Sequence, residues 1–179
     1  MPSLTLLRHA KSSWTDPVTR DFDRPLNARG KQAAQTIGRY LKAEQLGFDH
    51  VVASPAIRVI ETLDHFYTGY GEKLAPAWDR RIYLASAATL LDVVHDLPTG
   101  SQRALMVGHN PGLEDLVLLL VPQSKRDALR GEVELKYPTA AVAVLEWEGG
   151  WADAREGGAR LTRFIRPRDL DAALGPDDD

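Results

Sequence analysis

The chain has no cysteine among its 179 residues. That excludes disulfide staples, thiolate catalysis and cysteine-ligated zinc. Long apolar runs are missing too. Leu116–Val121, which no other apolar run exceeds, falls far short of the roughly 20 residues that span a bilayer. No basic stretch followed by an apolar core opens the chain, so no signal peptide is expected. Nor is there an excess of positive charge: the formal net charge is -3, which argues against a nucleic-acid binder that must neutralise phosphates. Glycine-rich dinucleotide fingerprints, Walker-type loops and internal repeats do not occur. These absences predict a cytoplasmic protein that engages neither nucleic acid nor membrane.

What is present is the balance of an ordinary globular domain, with 44% hydrophobic and 26% charged residues. The length suits one domain with a good core. We read residues 1–167 as that domain and 168–179, which end Gly-Pro-Asp-Asp-Asp, as a frayed acidic tail.

Three stretches share one pattern. Leu4–Leu7 is a short apolar run that stops at Arg8-His9, as a buried strand delivering two polar side chains to a sheet edge would stop. His50–Ala53 reads as a second strand, followed by Ser54 as cap and Pro55 as first residue of a helix, with Arg58 in its first turn. Arg103–Val107 reads as a third, followed by Gly108-His109 and by Asn110-Pro111, a cap and opening residue for the next helix. Between them, Trp14–Pro25 is a polar loop, and Asn27 caps a helix carrying Ala33, Ala34, Ile37 and Leu41. Lys73–Leu84 reads as loop with a short strand, Ala85–Leu97 as helix, and Gln123–Pro138 as linker or short helix. Thr139–Trp147 and Arg160–Arg166 suggest an antiparallel hairpin at the sheet edge. The alternation predicts an α/β fold: a three-layer sandwich with a mostly parallel central sheet.

Open α/β sheets bind ligands beyond the carboxyl ends of their strands. If the three strands are parallel neighbours, Arg8, His9, Arg58 and His109 converge in one crevice. Two guanidiniums can clamp a phosphate or carboxylate bidentately. A neutral imidazole can attack phosphorus while a second stabilises charge on the transferring group. A metal site is disfavoured, since neither motif holds a carboxylate or third histidine and the arginines would repel a cation. His50, His65 and His95 read as structural or solvated. Trp14, Trp78, Trp147 and Trp151 read as packing.

Leu7-Arg8-His9-Ala10, Ser54-Pro55-Ala56-Ile57-Arg58 with Thr62, and Val107-Gly108-His109-Asn110 resemble, in order, the three signatures of the histidine phosphatase superfamily. The short chain and the Gly108–Leu113 version of the third are most similar to SixA-type phosphohistidine phosphatases, within a phosphoglycerate-mutase-like fold. Asp23–Asn27 through Gly30 also resembles the family's entry into its first helix. The resemblance implies that His9 is the nucleophile that becomes phosphorylated. It implies that Arg8, Arg58 and His109 hold the phosphoryl oxygens, and that no metal or other cofactor is needed. It further implies a partner that is a phosphorylated protein or a small phosphorylated substrate, and a site that takes phosphate or sulfate.

One departure matters. Larger members carry an acid/base glutamate shortly before the segment that here reads Trp78–Tyr83, and no Glu stands there. Alkoxide leaving groups need a proton donor, whereas a leaving imidazole titrates near neutral pH. The departure therefore favours phosphohistidine on a protein. The alternatives are a small-molecule phosphomonoesterase using Asp16 or Asp21 from the crevice loop as acid, or a catalytically silent phosphate- or phosphoprotein-binding module.

Overall fold

The computed structural model describes residues 1–17 and 19–175. In strand β1 (Ser3–Arg8), Leu4, Leu6 and Leu7 are completely buried. Side chains alternate across a strand, so burial of consecutive leucines means that both sheet faces are covered. Leu4 and Leu6 join one apolar cluster and Leu7 the other. The same division holds in β4 (Arg103–Gly108), where Ala104 and Met106 face one core, and Leu105 and Val107 the other.

Helices α1 (Ala28–Ala43) and α2 (Ile57–Tyr70) cover one face. Helices α3 (Ala87–His95), α4 (Gly112–Leu120) and, through Val133, α5 (Ala128–Leu135) cover the other. The α1–α2 pair packs so closely that a Cβ on Gly38 would stand 2.3 Å from the Phe66 carbonyl oxygen.

The sheet has six strands in the order β3-β2-β4-β1-β5-β6, with β2 at His50–Ala53, β3 at Ala77–Trp78, β5 at Val142–Trp147 and β6 at Ala159–Ile165. β4 pairs in parallel with both β1 and β2. The three strands that carry the arginine and histidine motifs are therefore parallel neighbours, as the convergence required. β5 runs antiparallel to β1, and β6 antiparallel to β5, which places the expected hairpin at the edge. The fold is the expected three-layer α/β sandwich.

Three local expectations need correction. Ser54 does not cap α2. The helix begins at Ile57 behind Ala56, which makes no side-chain cap, and the Ser54 hydroxyl is buried and bonded elsewhere. Pro111 rather than Asn110 occupies the N-cap of α4, after a cis Asn110–Pro111 peptide, although Asn110 Oδ1 still accepts from the Glu114 amide at 3.3 Å.

The third correction concerns the segment after Pro167. It forms a short helix, α6 (Pro167–Leu170), and a 3₁₀ turn, Ala172–Leu174, with Leu174 buried in the α1–α2 cluster. Asp169 secures it by accepting from the Arg166 amide and guanidinium. Only two large apolar residues, Leu170 and Leu174, stand in this acidic context, which hid the packing. Residues 176–179 of the expected tail lie outside the described residues.

Candidate active site

A cleft of about 250 Å³ opens beyond the carboxyl ends of β1, β2 and β4, and Arg8, His9, Arg58 and His109 all line it. Each is delivered by a strand end or by the helix start that follows. The backbone of the His9 loop is held on two sides. The Ala10 amide donates to Thr62 Oγ1 at 2.9 Å, and that hydroxyl donates to the Arg58 carbonyl at 2.6 Å. From the other side, Lys11 O accepts from the Asn27 amide at 3.0 Å. α1 presses so closely here that a Cβ on Gly30 would lie 2.2 Å from Lys11 O.

The partners of the two imidazoles fix their protonation. His9 Nδ1 lies 2.8 Å from the Ala10 carbonyl oxygen. A carbonyl can only accept, so Nδ1 carries the proton and Nε2 keeps its lone pair. His109 Nδ1 lies 3.3 Å from Arg58 Nη2, which can only donate, and its Nε2 lies 2.8 Å from Ser54 Oγ. Nδ1 therefore accepts and Nε2–H donates. The two rings face each other at a centroid distance of 5.3 Å.

Burial is the main force holding both rings neutral. It pushes His9 well below the ordinary histidine range against the opposing bond to Ala10, and His109, Arg8 and Arg58 add to the effect. Burial also pushes His109 down to about 3, reinforced by Arg58 and opposed by Asp21.

Arg58 is buried, and the network around it was not visible in the sequence. Its Nη1 donates to the Asp21 carbonyl at 2.7 Å, and its Nη2 to Asp21 Oδ2 at 3.0 Å. The same carboxylate accepts from the Tyr83 hydroxyl at 2.5 Å and pairs with Arg24 at 2.9 Å. Partial burial alone would raise the Asp21 carboxyl. The Tyr83 hydroxyl and the Arg58 and Arg24 guanidiniums outweigh it and hold the group below its usual range. Arg58 Nε is buried with no hydrogen-bond partner.

Arg8 donates to the Tyr137 carbonyl at 2.9 Å, and Asn110 donates to the same oxygen at 3.0 Å. Arg24 bonds Ser12 and lies 3.6 Å over the ring of Trp14. Trp14 is 71% exposed on the cleft rim, so it lines the site and does not pack in the core. Leu84, also on the cleft wall, is exposed and holds a left-handed φ of 48°.

The structure thus brings together all four strand-end residues. Of the two candidate acids, Asp21 lines the cleft but is bound by two arginines and a tyrosine. Asp16 is exposed in the loop and is not among the lining residues. Sequence reasoning missed Ser54, Arg24 and Tyr83 as site residues. Ser54 carried a signal, since it stands in the same motif as Arg58, but a serine before proline also reads as a cap. His65 bonds Gln35 and His95 bonds the Ala154 carbonyl, both away from the cleft. Among the described residues, no group of three or more His, Asp or Glu side chains could hold a metal ion.

The model of the histidine phosphatase superfamily (branch 1) matches residues 4–80. An uncharacterized protein of Mycobacterium tuberculosis strain H37Rv is 37% identical over 164 residues, covering 90% of this chain and 100% of that protein. With the motifs and the fold, these similarities establish that the chain belongs to the histidine phosphatase superfamily.

Within it, the likeness is to SixA-type members. A structure from Nakamurella multipartitia, provisionally assigned as phosphohistidine phosphatase SixA, is 28% identical with a TM-score of 0.80, covering 93% of this chain and 96% of that one. The protein histidine phosphatase SixA solved with tungstate shares the fold, with a TM-score of 0.77 at 18% identity over 94% of this chain and 99% of that one. No helix among the described residues is long and apolar enough to cross a membrane.

Proposed function

We propose that this phosphatase hydrolyses phosphohistidine on a partner protein, with His9 as nucleophile and without a metal. The observation that carries the reading is the state of Asp21. It is the only carboxylate lining the cleft among the described residues, and its bonds to Arg58, Arg24 and Tyr83 keep it ionised. A carboxylate held below its usual pKa is a poor general acid. Alkyl phosphates, whose alkoxide must be protonated as it leaves, are then poor substrates, whereas a phosphoramidate can depart as imidazole.

In the first step, His9 Nε2 donates its lone pair to phosphorus. The phosphorus–nitrogen bond to the substrate imidazole breaks, and that imidazole leaves with a proton taken from solvent. In the second step, water attacks the phosphoryl group on His9, loses a proton to solvent, and releases phosphate with neutral His9. Arg8 and Arg58 stabilise the charge on the transferring oxygens, the role metals fill elsewhere. His109 can donate to a phosphoryl oxygen only after Nδ1 gains a proton. A bound dianion favours that proton by offsetting the field of Arg58. The cysteine-free composition suits a cytoplasmic site of action.

The test is a panel of kcat/KM values for a phosphohistidine-bearing protein, an aryl phosphate and alkyl esters such as phosphoglycerate. Alkyl esters should lag by roughly 10²–10⁴-fold, the usual contribution of acid catalysis. His9→Ala should abolish turnover and the acid-labile phosphoenzyme while remaining folded, and chelator should have no effect. Alkyl esters turned over as fast as phosphohistidine would refute the substrate class. Normal turnover by His9→Ala would refute the nucleophile.

A further inference from the structure

Among the described residues that line the active-site cleft, only Trp14 and Leu84 have apolar side chains. Both are exposed, at 71% and 55%. Five large apolar side chains are exposed among the described residues of the chain, and two of the five stand in this one cleft. Binding sites for small molecules join a few polar groups to apolar walls. Here His9, Arg58 and His109 are buried and form a polar floor, while the apolar side chains stand in the open.

Trp14 is held in place by that floor. The Arg24 guanidinium lies 3.6 Å over its ring, well inside the range of a cation–π contact. Arg24 is itself fixed, its Nε donating to Ser12 Oγ at 3.0 Å and its Nη1 pairing with Asp21 Oδ1 at 2.9 Å. One face of the indole is therefore covered by a tethered cation, and a side chain 71% exposed has its other face open. Such a fixed flat surface costs a ligand little ordering.

Leu84 carries a second signal. Its left-handed φ of 48° is a conformation that a leucine rarely adopts. Strained backbone of this kind clusters where ligands are held, and the Leu84 side chain lines the cleft.

The chemistry says which part of a substrate meets these two residues. Phosphoryl transfer places nucleophile and leaving group roughly in line, on opposite sides of phosphorus. With His9 buried at the floor, the leaving group points to the mouth. A group that departs as imidazole is a flat aromatic ring, and aromatic rings stack.

We propose that Trp14 is a specificity-determining residue whose open face stacks on the departing ring of the substrate, with Leu84 supplying a second apolar contact. The inference rests on the proposed phosphohistidine reading for the identity of that ring, but stacking can be measured without turnover.

The experiment titrates the full chain with phenylphosphonate and with methylphosphonate by calorimetry. Both present the same phosphonate head, and only the first carries a ring. The wild type should bind phenylphosphonate roughly tenfold more tightly, from stacking together with apolar burial. Trp14→Leu should reduce the ratio of the two affinities to about threefold or less, and Trp14→Phe should retain it within about twofold. The ratio cancels any weakening of the phosphonate site that follows release of Arg24. Leu84→Gly should also lower the ratio while melting near the wild-type temperature, because glycine adopts a left-handed φ without strain. In turnover, kcat/KM for a phosphohistidine-bearing protein is compared with that for inorganic phosphoramidate, whose leaving group has no ring. Trp14→Leu should lower this ratio by a similar factor.

Equal binding of the two phosphonates by the wild type, or a ratio unchanged in Trp14→Leu, would overturn the proposal. So would loss of both ligands in Trp14→Leu with a native circular dichroism spectrum, since Trp14 would then serve only to hold Arg24. Slower turnover of the phosphorylated protein by Trp14→Leu with an unchanged phosphonate ratio would also sink it, assigning Trp14 to the partner's surface. If the phosphonate ratio depends on Trp14 while phosphohistidine is not hydrolysed, the stacking surface stands and the reading of the cleft fails.

Discussion

Acidification should destabilise this protein through His109, and the size of the effect follows from its surroundings. The ring is 2% exposed, flanked by Arg58 and bonded through Nε2–H to Ser54. Its pKa is lowered to about 3, whereas an unfolded chain titrates near 6.5. Above pH 6.5 neither state binds the proton, and the group has no effect on the pH dependence. Between 6.5 and about 3 the unfolded chain takes up a proton that the native state refuses, so stability falls as pH falls. By pH 4.5 the loss amounts to roughly 2–3 kcal/mol, at about 1.4 kcal/mol per pH unit. His9 is shifted in the same direction and adds to it.

The assay is urea unfolding of wild type and His109→Gln at pH 7.5, 6.5, 5.5 and 4.5. The variant should be the less stable protein at pH 7.5, having lost native packing, but its stability should decline less steeply. The difference between the two should therefore shrink by roughly 2–3 kcal/mol over the series. Parallel decline would refute the reasoning, because it would mean that His109 accepts a proton in the folded state as readily as in the unfolded one.

Other perturbations follow from the same network. Asp21→Asn should lower stability by about 1 kcal/mol in chemical denaturation, a figure kept small because the carboxylate is partly exposed. It should leave the slope of log kcat/KM against leaving-group pKa unchanged, whereas a steeper slope would identify Asp21 as a working acid. Ser54→Ala removes the acceptor of His109 Nε2–H at a fully buried position; we expect a loss of about 1–2 kcal/mol and a fall in kcat of about tenfold from a ring free to reorient, read by calorimetry and steady-state kinetics. Gly30→Ala forces α1 away from Lys11 O and should cost about 1–3 kcal/mol, with kcat/KM falling as well because the displaced loop carries His9.

The parts of the fold legible in the sequence are those where one signal dominated. A mostly apolar run, Leu4–Leu7, ending at Arg8 reads as a strand covered on both faces, and Ala33, Ala34, Ile37 and Leu41 mark one stripe of α1 by spacing alone. The four strand-end residues could be placed together because parallel neighbours bring their carboxyl ends to one edge. What was not legible depended on contacts between distant residues. Arg58 and Asp21 are 37 positions apart and Tyr83 is 62 from Asp21, and nothing local marks that aspartate as a counter-ion and not an acid. Ser54 before Pro55 carries the signature of a cap, yet the helix starts later because the hydroxyl is claimed by His109 and the Ala56 amide. The segment after Pro167 gave only Leu170 and Leu174 as large apolar anchors, too few for periodicity to register.

The charge of the cleft ties these features into one argument. A buried guanidinium favours a counter-charge beside it, and Arg58 is 2% exposed, so a carboxylate at its open side suits the fold whatever the chemistry. Asp21 fills that place, and its bonds keep it from serving as an acid. Among the residues lining the cleft, Arg8, Arg24 and Arg58 then stand against Asp21 alone, which leaves two formal positive charges while both histidines are neutral. A phosphoryl dianion balances that field, whereas a monoanion leaves half of it uncompensated. The balance also requires that His9 be neutral, the state in which Nε2 has the lone pair that the proposed attack uses. On the proposed mechanism, the burial that lowers the pKa of His9 therefore bears both on the charge of the ligand the cleft accepts and on the reactivity of the atom that meets it.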